Sequence, residues 1–150
     1  MSGSWMIMNT KRIGNIGEVK VLAKFVELGC PVYLPFGDNE KADLIAEFSG
    51  RLNKIQIKAT NTTQDGYYVI DFRNCKNHKT SPDPRQLYTE NEIDYFATYC
   101  IERDTVCLFK INEMPNATVR LRFETPKNNQ TTGVRWEKDY LIEKVLENII

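Results

Sequence analysis

The sequence contains one histidine and four cysteines, and no two of the cysteines form a Cys-x-x-Cys pair. A structural zinc site needs four ligands around the metal. Cys75 and His78 have the spacing of two such ligands, but the other two would have to come from distant cysteines. The sequence therefore argues against a zinc site. We expect reduced and mostly buried thiols, as is usual for proteins of the cytosol.

The sequence also lacks an excess of charge of either sign and a long apolar run. Its 20 basic side chains balance 20 acidic ones, which argues weakly against a nucleic-acid-binding protein, because such domains are often basic. The argument is weak because binding depends on where the charges lie, and because a nuclease also needs carboxylates to hold metal ions. With no membrane-spanning segment and no secretory signal, we expect a cytoplasmic protein.

The chain has the length of one ordinary domain. Its 150 residues, 41% of them hydrophobic, are enough to bury a substantial core. We predict a single domain over residues 1–150, with residues 1–7 as a leader outside the fold and Met8 as the natural start.

Residues 42–59 carry the most informative pattern in the chain. Two apolar-rich runs separated by Ser-Gly predict two strands joined by a tight turn. Asp43 lies near the start of the first strand. Gln56 and Lys58 lie two residues apart in the second strand, so their side chains share one face. If the strands pair around the turn, Asp43 reaches that face too, which suggests a metal-dependent phosphodiesterase centre.

The chemistry of this hypothesis requires oxygen ligands. A divalent ion stabilises charge on the transferring phosphoryl group and makes a water nucleophilic. Magnesium prefers one or two carboxylates together with water and the substrate phosphate. Asp43 would be the central ligand, with the backbone carbonyl of Ile57 and the amide oxygen of Gln56 as further ligands. Lys58 would position the attacking water or offset charge near the scissile phosphate.

A helix is predicted to begin near Asn15 and to end at Gly29. Glu18 would then lie in the first turn, where two explanations stay open. It is either an acid favoured by the helix dipole or a carboxylate that binds a second ion or orients a water. Lys11 and Arg12, ahead of the helix, are either solvated charges or contacts to a phosphate near the helix N-terminus. The residues at apolar helical spacing are Ile16, Val19, Leu22, Ala23 and Val26.

Further elements follow from apolar runs and turn residues. Residues 67–72 are predicted to form a third strand of the sheet, and residues 119–123 a half-buried edge strand. Residues 93–101 and 105–111 resemble a hairpin, although the first of these runs is also compatible with a helix. Residues 137–150 are predicted to form a final helix that packs on the sheet or on another subunit.

Two long polar loops are candidates for contacts with DNA. The loop 73–91 has no regular period, and loops of that length in compact domains are often functional. The loop 125–135 is rich in Asn, Gln and Arg, which suit bidentate contacts to base edges, although polar surface loops are also common. The candidate residues of the two loops are Arg73, Lys76, Lys79, Arg85, Lys127, Asn128, Asn129, Gln130 and Arg135.

Three short motifs resemble a known family in their order and spacing. Gly17-Glu18, Ala42-Asp43 and Gln56-Ile57-Lys58 are similar to the PD-(D/E)XK motif of restriction enzymes and archaeal Holliday-junction resolvases. The chain from Met8 onward also resembles a cyanobacterial homing endonuclease of this family, encoded in a group I intron of a tRNA gene.

The resemblance implies an α/β fold with a restriction-endonuclease-like core, in which helices flank a mixed central β-sheet. It implies Mg²⁺-dependent double-strand cleavage of DNA at an intron insertion site, with Mn²⁺ able to substitute and Ca²⁺ binding without cleavage. The implied partners are double-stranded DNA and further copies of the chain, as a dimer or tetramer, on the nucleoid in a bacterial cytoplasm. The implied catalytic residues are Glu18, Asp43, Gln56 and Lys58.

Two departures from the family motif are visible. Ala42 replaces the usual proline, and Gln56 replaces the usual acid, which removes one anionic metal ligand. Two alternatives therefore remain: a junction resolvase that recognises DNA shape, and a catalytically inactive DNA-binding relative.

Overall fold

The computed structural model describes residues 9–37, 40–72, 92–113 and 118–149. Within these ranges the chain forms a mixed α/β fold, as expected. In chain order the elements are α1 (Thr10–Glu27), β1 (Val32–Tyr33), β2 (Leu44–Phe48), β3 (Arg51–Thr60), β4 (Tyr67–Asp71), β5 (Tyr95–Cys100), β6 (Thr105–Lys110), a 3-10 turn (Ile111–Glu113), β7 (Thr118–Arg122), α2 (Glu137–Tyr140) and α3 (Ile142–Ile149).

Five strands form the main sheet in the order β1-β2-β3-β5-β6. β3 and β5 are parallel, and the other neighbouring pairs are antiparallel. β2 and β3 pair around the predicted turn, where Ser49 and Gly50 both have positive φ angles. The hairpin of β5 and β6 is confirmed and the helical alternative is wrong. Every residue of β5 is buried, which explains why its run showed no strand-like alternation.

β4 does not join the main sheet, so the predicted third strand was assigned to the wrong sheet. It pairs in antiparallel fashion with β7, with Tyr67 opposite Arg122. We call this pair the ribbon. β3 already has β2 on one side and β5 on the other, so neither edge of β3 is open to β4. The ribbon packs its inward residues, among them Tyr68 and Leu121, against Phe96 and Phe109 of the main sheet.

α1 begins at Thr10, five residues before the predicted start. Asn9 is its N-cap, and its side chain accepts a hydrogen bond from the Arg12 amide at 2.8 Å. Gly14 lowers the helix propensity of the first turns, which hid this start in the sequence. The predicted end is confirmed, because Gly29 follows the last turn with a φ of 84°.

The buried face of α1 agrees with the predicted one only in part, since Ile16 and Leu22 pack against the core as predicted. Val21 and Phe25 are fully buried, whereas Val19 and Val26 are exposed. The buried face packs with α3 against Ile55 and its neighbours on the main sheet. The main sheet is therefore covered by helices on one face and by the ribbon on the other.

The C-terminal helix is broken at Leu141, which has an extended ψ of 133° and bridges to Cys107 of β6. α2 and α3 are therefore two short helices where one was predicted. Ile142 and Leu146 of α3 are buried, so the segment packs on the sheet of its own chain.

Three cysteines, Cys30, Cys100 and Cys107, are buried and free, as expected. Cys75 and His78 lie outside the described residues. In the described ranges, no helix is long and apolar enough to cross a membrane.

Candidate active site

Asp43 lies immediately before β2, and both its backbone and its side chain form hydrogen bonds with β3. Its amide donates to the carbonyl oxygen of Ile55 at 2.7 Å. The Oδ2 atom of its half-buried carboxylate accepts hydrogen bonds from the Ile57 amide at 2.7 Å and from Gln56 Nε2 at 2.8 Å. The pairing of β2 and β3 thus brings Asp43 against Gln56, and two donors fix the orientation of the carboxylate.

The Gln56 amide lies between two of the proposed metal ligands. Its side chain is only 5% exposed. Besides its bond to Asp43, Nε2 lies 3.5 Å from the carbonyl oxygen of Ile57. The sequence predicted the amide oxygen as a ligand, whereas the nitrogen faces the carboxylate here. A half-turn of the amide group would place the oxygen at this point, so the ligand role of Gln56 stays a prediction.

Lys58 follows Gln56 on β3 and is half-buried. Ile55 and Ile57 pack under α1 in the helix-covered core, so the alternating residues Gln56 and Lys58 lie on the opposite face. Across the parallel pair, Lys58 is in register with Thr98 of β5. The predicted shared face of Gln56 and Lys58 is therefore present, and it is the face that the ribbon covers further along the sheet.

Glu18 lies in the middle of α1, which removes one of its two explanations. Because the helix starts at Thr10, its first turn contains no acidic residue. The dipole of the helix N-terminus therefore does not account for Glu18. Its exposed side chain lines a cleft of about 420 Å³ together with Asp43 and Ile57. Glu40 lines the same cleft and was not predicted; its only sequence signal was an acid in the turn before β2.

Gly17 sets how closely α1 approaches β3. A Cβ atom at this position would lie 2.7 Å from the Cβ of Ala59, well inside van der Waals contact. The glycine therefore lets the helix backbone lie directly on β3. Glu18, the next residue, owes its position at the cleft to this close packing.

The oxygen atoms around the cleft fit a hard divalent cation. Mg²⁺ is usually held by one or two carboxylates, with water and phosphate completing its shell. Asp43 and Glu18 supply carboxylates, and Ile57 supplies a carbonyl oxygen beside Asp43. Across the part of the chain that the structure describes, no three His, Cys, Asp or Glu side chains converge on a metal position. A cation here would therefore depend on carbonyl or amide oxygens as well as on carboxylates.

The predicted DNA-contacting residues fall in three places. Lys11 and Arg12 are exposed in the first turn of α1 and do not precede it. The predicted contacts of the loop 73–91, Arg73, Lys76, Lys79 and Arg85, lie outside the described residues. In the loop after β7, exposed side chains and one half-buried arginine are present: Lys127, Asn128, Asn129, Gln130 and Arg135.

This last loop adjoins a second concave surface that the sequence analysis did not assign. An open groove of about 490 Å³ is lined by Arg120, Arg122 and Arg135, together with Asn128 and Gln130. The alternation of basic and apolar residues along β7 was a signal for the two strand arginines. They were missed because a half-buried edge strand accounts equally well for that pattern.

A second carboxylate, Glu137, was also missed, and it lies in a buried polar cluster. Its Oε2 accepts hydrogen bonds from Thr105 Oγ1 at 2.6 Å and from the Tyr68 hydroxyl at 2.7 Å. Its Oε1 accepts from Arg103 Nη2 at 2.8 Å. Burial alone would raise the pKa of Glu137, but the bonds from Arg103, Thr105 and Tyr68 outweigh it and hold that pKa below its usual value. The cluster joins α2, the ribbon and the β5–β6 hairpin.

The comparisons with known proteins agree with this geometry. The family model for the PD-(D/E)XK endonuclease matches residues 8–143, a range that contains Glu18, Asp43, Gln56 and Lys58. The chain belongs to the PD-(D/E)XK endonuclease family. As a member of this family it is a metal-dependent phosphodiesterase whose substrate is DNA, and the resemblance noted in the three motifs is confirmed.

This PD-(D/E)XK endonuclease is also similar to a curated protein and to a solved structure. It is 26% identical over 112 residues to Protein 5.3 of Escherichia phage T7, covering 74% of this chain and 89% of that protein. Its fold matches the bacterial homing endonuclease I-Ssp6803I with a TM-score of 0.68 at 19% identity, covering 95% of this chain and 92% of that one. The structural match confirms the restriction-endonuclease-like fold.

Proposed function

We propose that this endonuclease makes a site-specific, Mg²⁺-dependent double-strand break in DNA, as a homing endonuclease does at an intron insertion site. The observation that carries the proposal is the contact of Asp43 with Gln56 and Ile57 beside the cleft that Glu18 also lines. The whole-length match to a homing endonuclease fold supports it. Since the substrate is DNA, we place the enzyme on the nucleoid in the bacterial cytoplasm.

Each residue of the site has a distinct task in this proposal. Asp43 and the Ile57 carbonyl would hold the cation, together with the Gln56 oxygen after rotation of its amide. Glu18 binds a second ion or orients a water. The cation, when bound, supplies charge stabilisation at the phosphate and lowers the pKa of a water. Lys58, on the same face as Gln56, positions that water or offsets charge beside the scissile phosphate.

A double-strand break by a chain with one active site requires at least two copies. Three exposed apolar side chains support a docking surface for a second copy next to the active site: Phe36, together with Val19 and Leu34, which line the cleft. Clustered exposed apolar side chains mark interaction sites on soluble domains. Light scattering after size exclusion should report a dimer or tetramer. Phe36→Asp should give smaller particles that nick DNA without breaking both strands.

The test of the proposed function is a cleavage assay on a tRNA-gene fragment that contains an uninterrupted intron site, with random-sequence DNA and a four-way junction as controls. We expect cutting of the fragment with Mg²⁺ and Mn²⁺, and binding without cutting with Ca²⁺. Preferential cutting of the junction would instead identify a resolvase. Binding without cutting in any of these metals would identify an inactive relative.

Gln56→Glu tests the departure from the family motif. Restoring the usual acid adds an anionic ligand beside Asp43, so we expect cleavage at lower Mg²⁺ concentrations than in the wild type. The measurement is the Mg²⁺ dependence of the initial cleavage rate. An unchanged dependence would contradict a ligand role for residue 56.

A further inference from the structure

We infer that the outward face of the ribbon is a DNA-binding surface, with Arg120 and Arg122 bound to backbone phosphates. The inference rests on the proposed function for its substrate, but it concerns residues outside the catalytic set. It is carried by three features of the ribbon: its unpaired arginines, its shape, and its position relative to the active site.

Three arginines of the ribbon and of the loop that follows it lie at one groove. Lys20, Lys24 and Lys41 each pair with a carboxylate, as Arg103 does with Glu137. Arg120, Arg122 and Arg135 line one groove, and none of the three forms an ion pair with any residue in the described ranges. Among the described residues, three arginines without an ion pair thus line one concave surface of a chain that has no net charge.

The strand arginines are held in position without losing their charge. The Cζ atoms of Arg120 and Arg122 lie 4.1 Å and 5.2 Å from the centroid of the same ring, that of Tyr67. Arg122 also donates to the carbonyl oxygens of Asp65 at 2.9 Å and Glu124 at 3.1 Å. Two guanidinium groups on one ring repel each other, and a phosphate bound between them would relieve that repulsion. Preorganised guanidinium groups lose little side-chain entropy when they bind it.

The shape of the ribbon fits a DNA duplex. Its inward residues, such as Tyr68, are buried against the main sheet, whereas Val69 and Arg120 on the outward face are exposed. A two-stranded antiparallel ribbon of this kind fits the major groove of B-DNA. In that position the strand arginines reach the flanking phosphates. Gln130, on the loop beyond β7, lines the same groove of the protein as the arginines and would contact base edges.

The ribbon also lies on the appropriate side of the main sheet. Its inward side chains pack against Phe96, which is directly in register with Gln56 of β3. Gln56 and Lys58 project from that same face. A duplex bound along the ribbon would therefore lie on the side of the sheet that carries Gln56 and Lys58. One DNA molecule is thus able to contact both surfaces.

Equilibrium binding of a labelled random-sequence duplex, without divalent metal so that the DNA stays intact, tests the inference. The slope of log affinity against log salt counts the phosphates contacted. Arg120→Gln should reduce the magnitude of this slope by about 1. The double variant with Arg122→Gln should reduce the magnitude of the slope by about 2 in total. Arg120→Lys should keep the wild-type slope, because a lysine still neutralises a phosphate.

The matched control is Arg51→Gln, which removes one exposed arginine from the β2–β3 turn of the main sheet. Arg120 is the primary variant because its contact is with a ring and not with the backbone, and thermal unfolding should show the variant folded as stably as the wild type. A slope that falls equally for Arg51→Gln, or that is unchanged by Arg120→Gln, would overturn the inference.

Cleavage with Mg²⁺ separates this inference from the proposed function. If the wild type binds DNA but never cuts it, and the ribbon variants bind more weakly, the ribbon surface is supported and the proposed function is rejected. If the wild type cuts DNA and both ribbon variants bind it as tightly as the wild type does, only the ribbon surface is rejected. We expect the ribbon variants to cut, but only at higher enzyme concentrations or lower salt than the wild type needs.

Discussion

Asp43 and Glu137 are both carboxylates held by hydrogen bonds, yet they occupy opposite kinds of environment. Glu137 is 3% exposed and receives bonds from three side chains, one of them a guanidinium. Asp43 is half-buried, receives two bonds from uncharged groups, and lines a cleft. Arg103 neutralises the charge of Glu137 inside the protein, whereas Asp43 lies at the wall of a cleft.

The difference between the two carboxylates indicates what each one stabilises. Glu137 accepts hydrogen bonds from Arg103, Thr105 and Tyr68, which come from different parts of the fold. These hydrogen bonds stabilise the packing of those parts against one another. Asp43 lines the cleft together with Glu18 and Ile57, where its carboxylate would serve as a ligand of a divalent cation. We therefore expect substitutions to affect stability at Glu137 and catalysis at Asp43.

The largest expected effect is that of Asp43→Asn on cleavage. Loss of the central carboxylate ligand should remove about 4 kcal/mol of transition-state stabilisation, which lowers the cleavage rate about a thousandfold. The asparagine oxygen still accepts the Ile57 amide, so urea unfolding should show a change in stability below about 1 kcal/mol. Glu137→Gln is the contrasting variant and should cut at the wild-type rate once corrected for the folded fraction. A fully active Asp43→Asn enzyme would contradict the assignment of the site.

Glu137→Ala should lower stability more than catalysis, the reverse of the effect expected for Asp43→Asn. Removing one partner of a buried ion pair costs about 3–5 kcal/mol, and we expect the lower end because Arg103 retains access to water. Urea unfolding at neutral pH measures this loss. Glu143→Ala is the matched control: its ion pair with Lys24 is exposed and should contribute about 0.5 kcal/mol. Similar losses in the two variants would show that the buried cluster is not what joins the ribbon to the sheet.

Gly17→Ala tests how α1 supports the site. The added methyl group meets the Cβ of Ala59, and relieving that overlap should cost about 1–3 kcal/mol and displace Glu18 from the cleft. Gly14→Ala is the matched control, since its added Cβ would meet nothing within 4 Å; it should stabilise the helix by about 0.5–1 kcal/mol. Thermal unfolding and the cleavage rate of both variants check these expectations. A Gly17→Ala enzyme as stable as Gly14→Ala would refute the close packing.

The smallest expected effect is the pH dependence of stability at Glu137. Because the folded protein holds the pKa of Glu137 below its usual value, its contribution is complete above the usual glutamate pKa. That contribution is lost as the pH falls through the lowered folded value. The difference in unfolding free energy between wild type and Glu137→Gln should therefore shrink on acidification. A difference that is constant between neutral and acidic pH would contradict an ionised Glu137 in the fold.

Local patterns along the chain were sufficient for much of the fold. The turn at Ser49-Gly50, the strands on either side of it and the end of α1 at Gly29 all followed from nearby residues, because tight turns and helix ends depend on local backbone conformation. The spacing of Gln56 and Lys58 placed both side chains on one face, because strand alternation is a local property. The start of α1 was missed because glycines weaken its first turns.

Other features depended on residues far apart in sequence. The partner of β4 is β7, about fifty residues later, and no local pattern distinguishes that pairing from a place in the main sheet. The role of Glu137 depends on Tyr68 and Arg103, which only the packed fold brings to it. The stacking of Arg120 and Arg122 on the ring of Tyr67 also depends on the packed fold.

The motif follows from the amino-acid sequence alone: an acid before one strand, Gln and Lys on the next, and a Gly-Glu pair on the first helix. These are local arrangements, so the residue types and their spacing were enough to suggest a nuclease. Only the tertiary structure decided that Glu18 belongs with Asp43 at one cleft and that Glu137 is a buried structural carboxylate. It did so because burial and charge pairing arise between segments that are distant in sequence and adjacent only after folding.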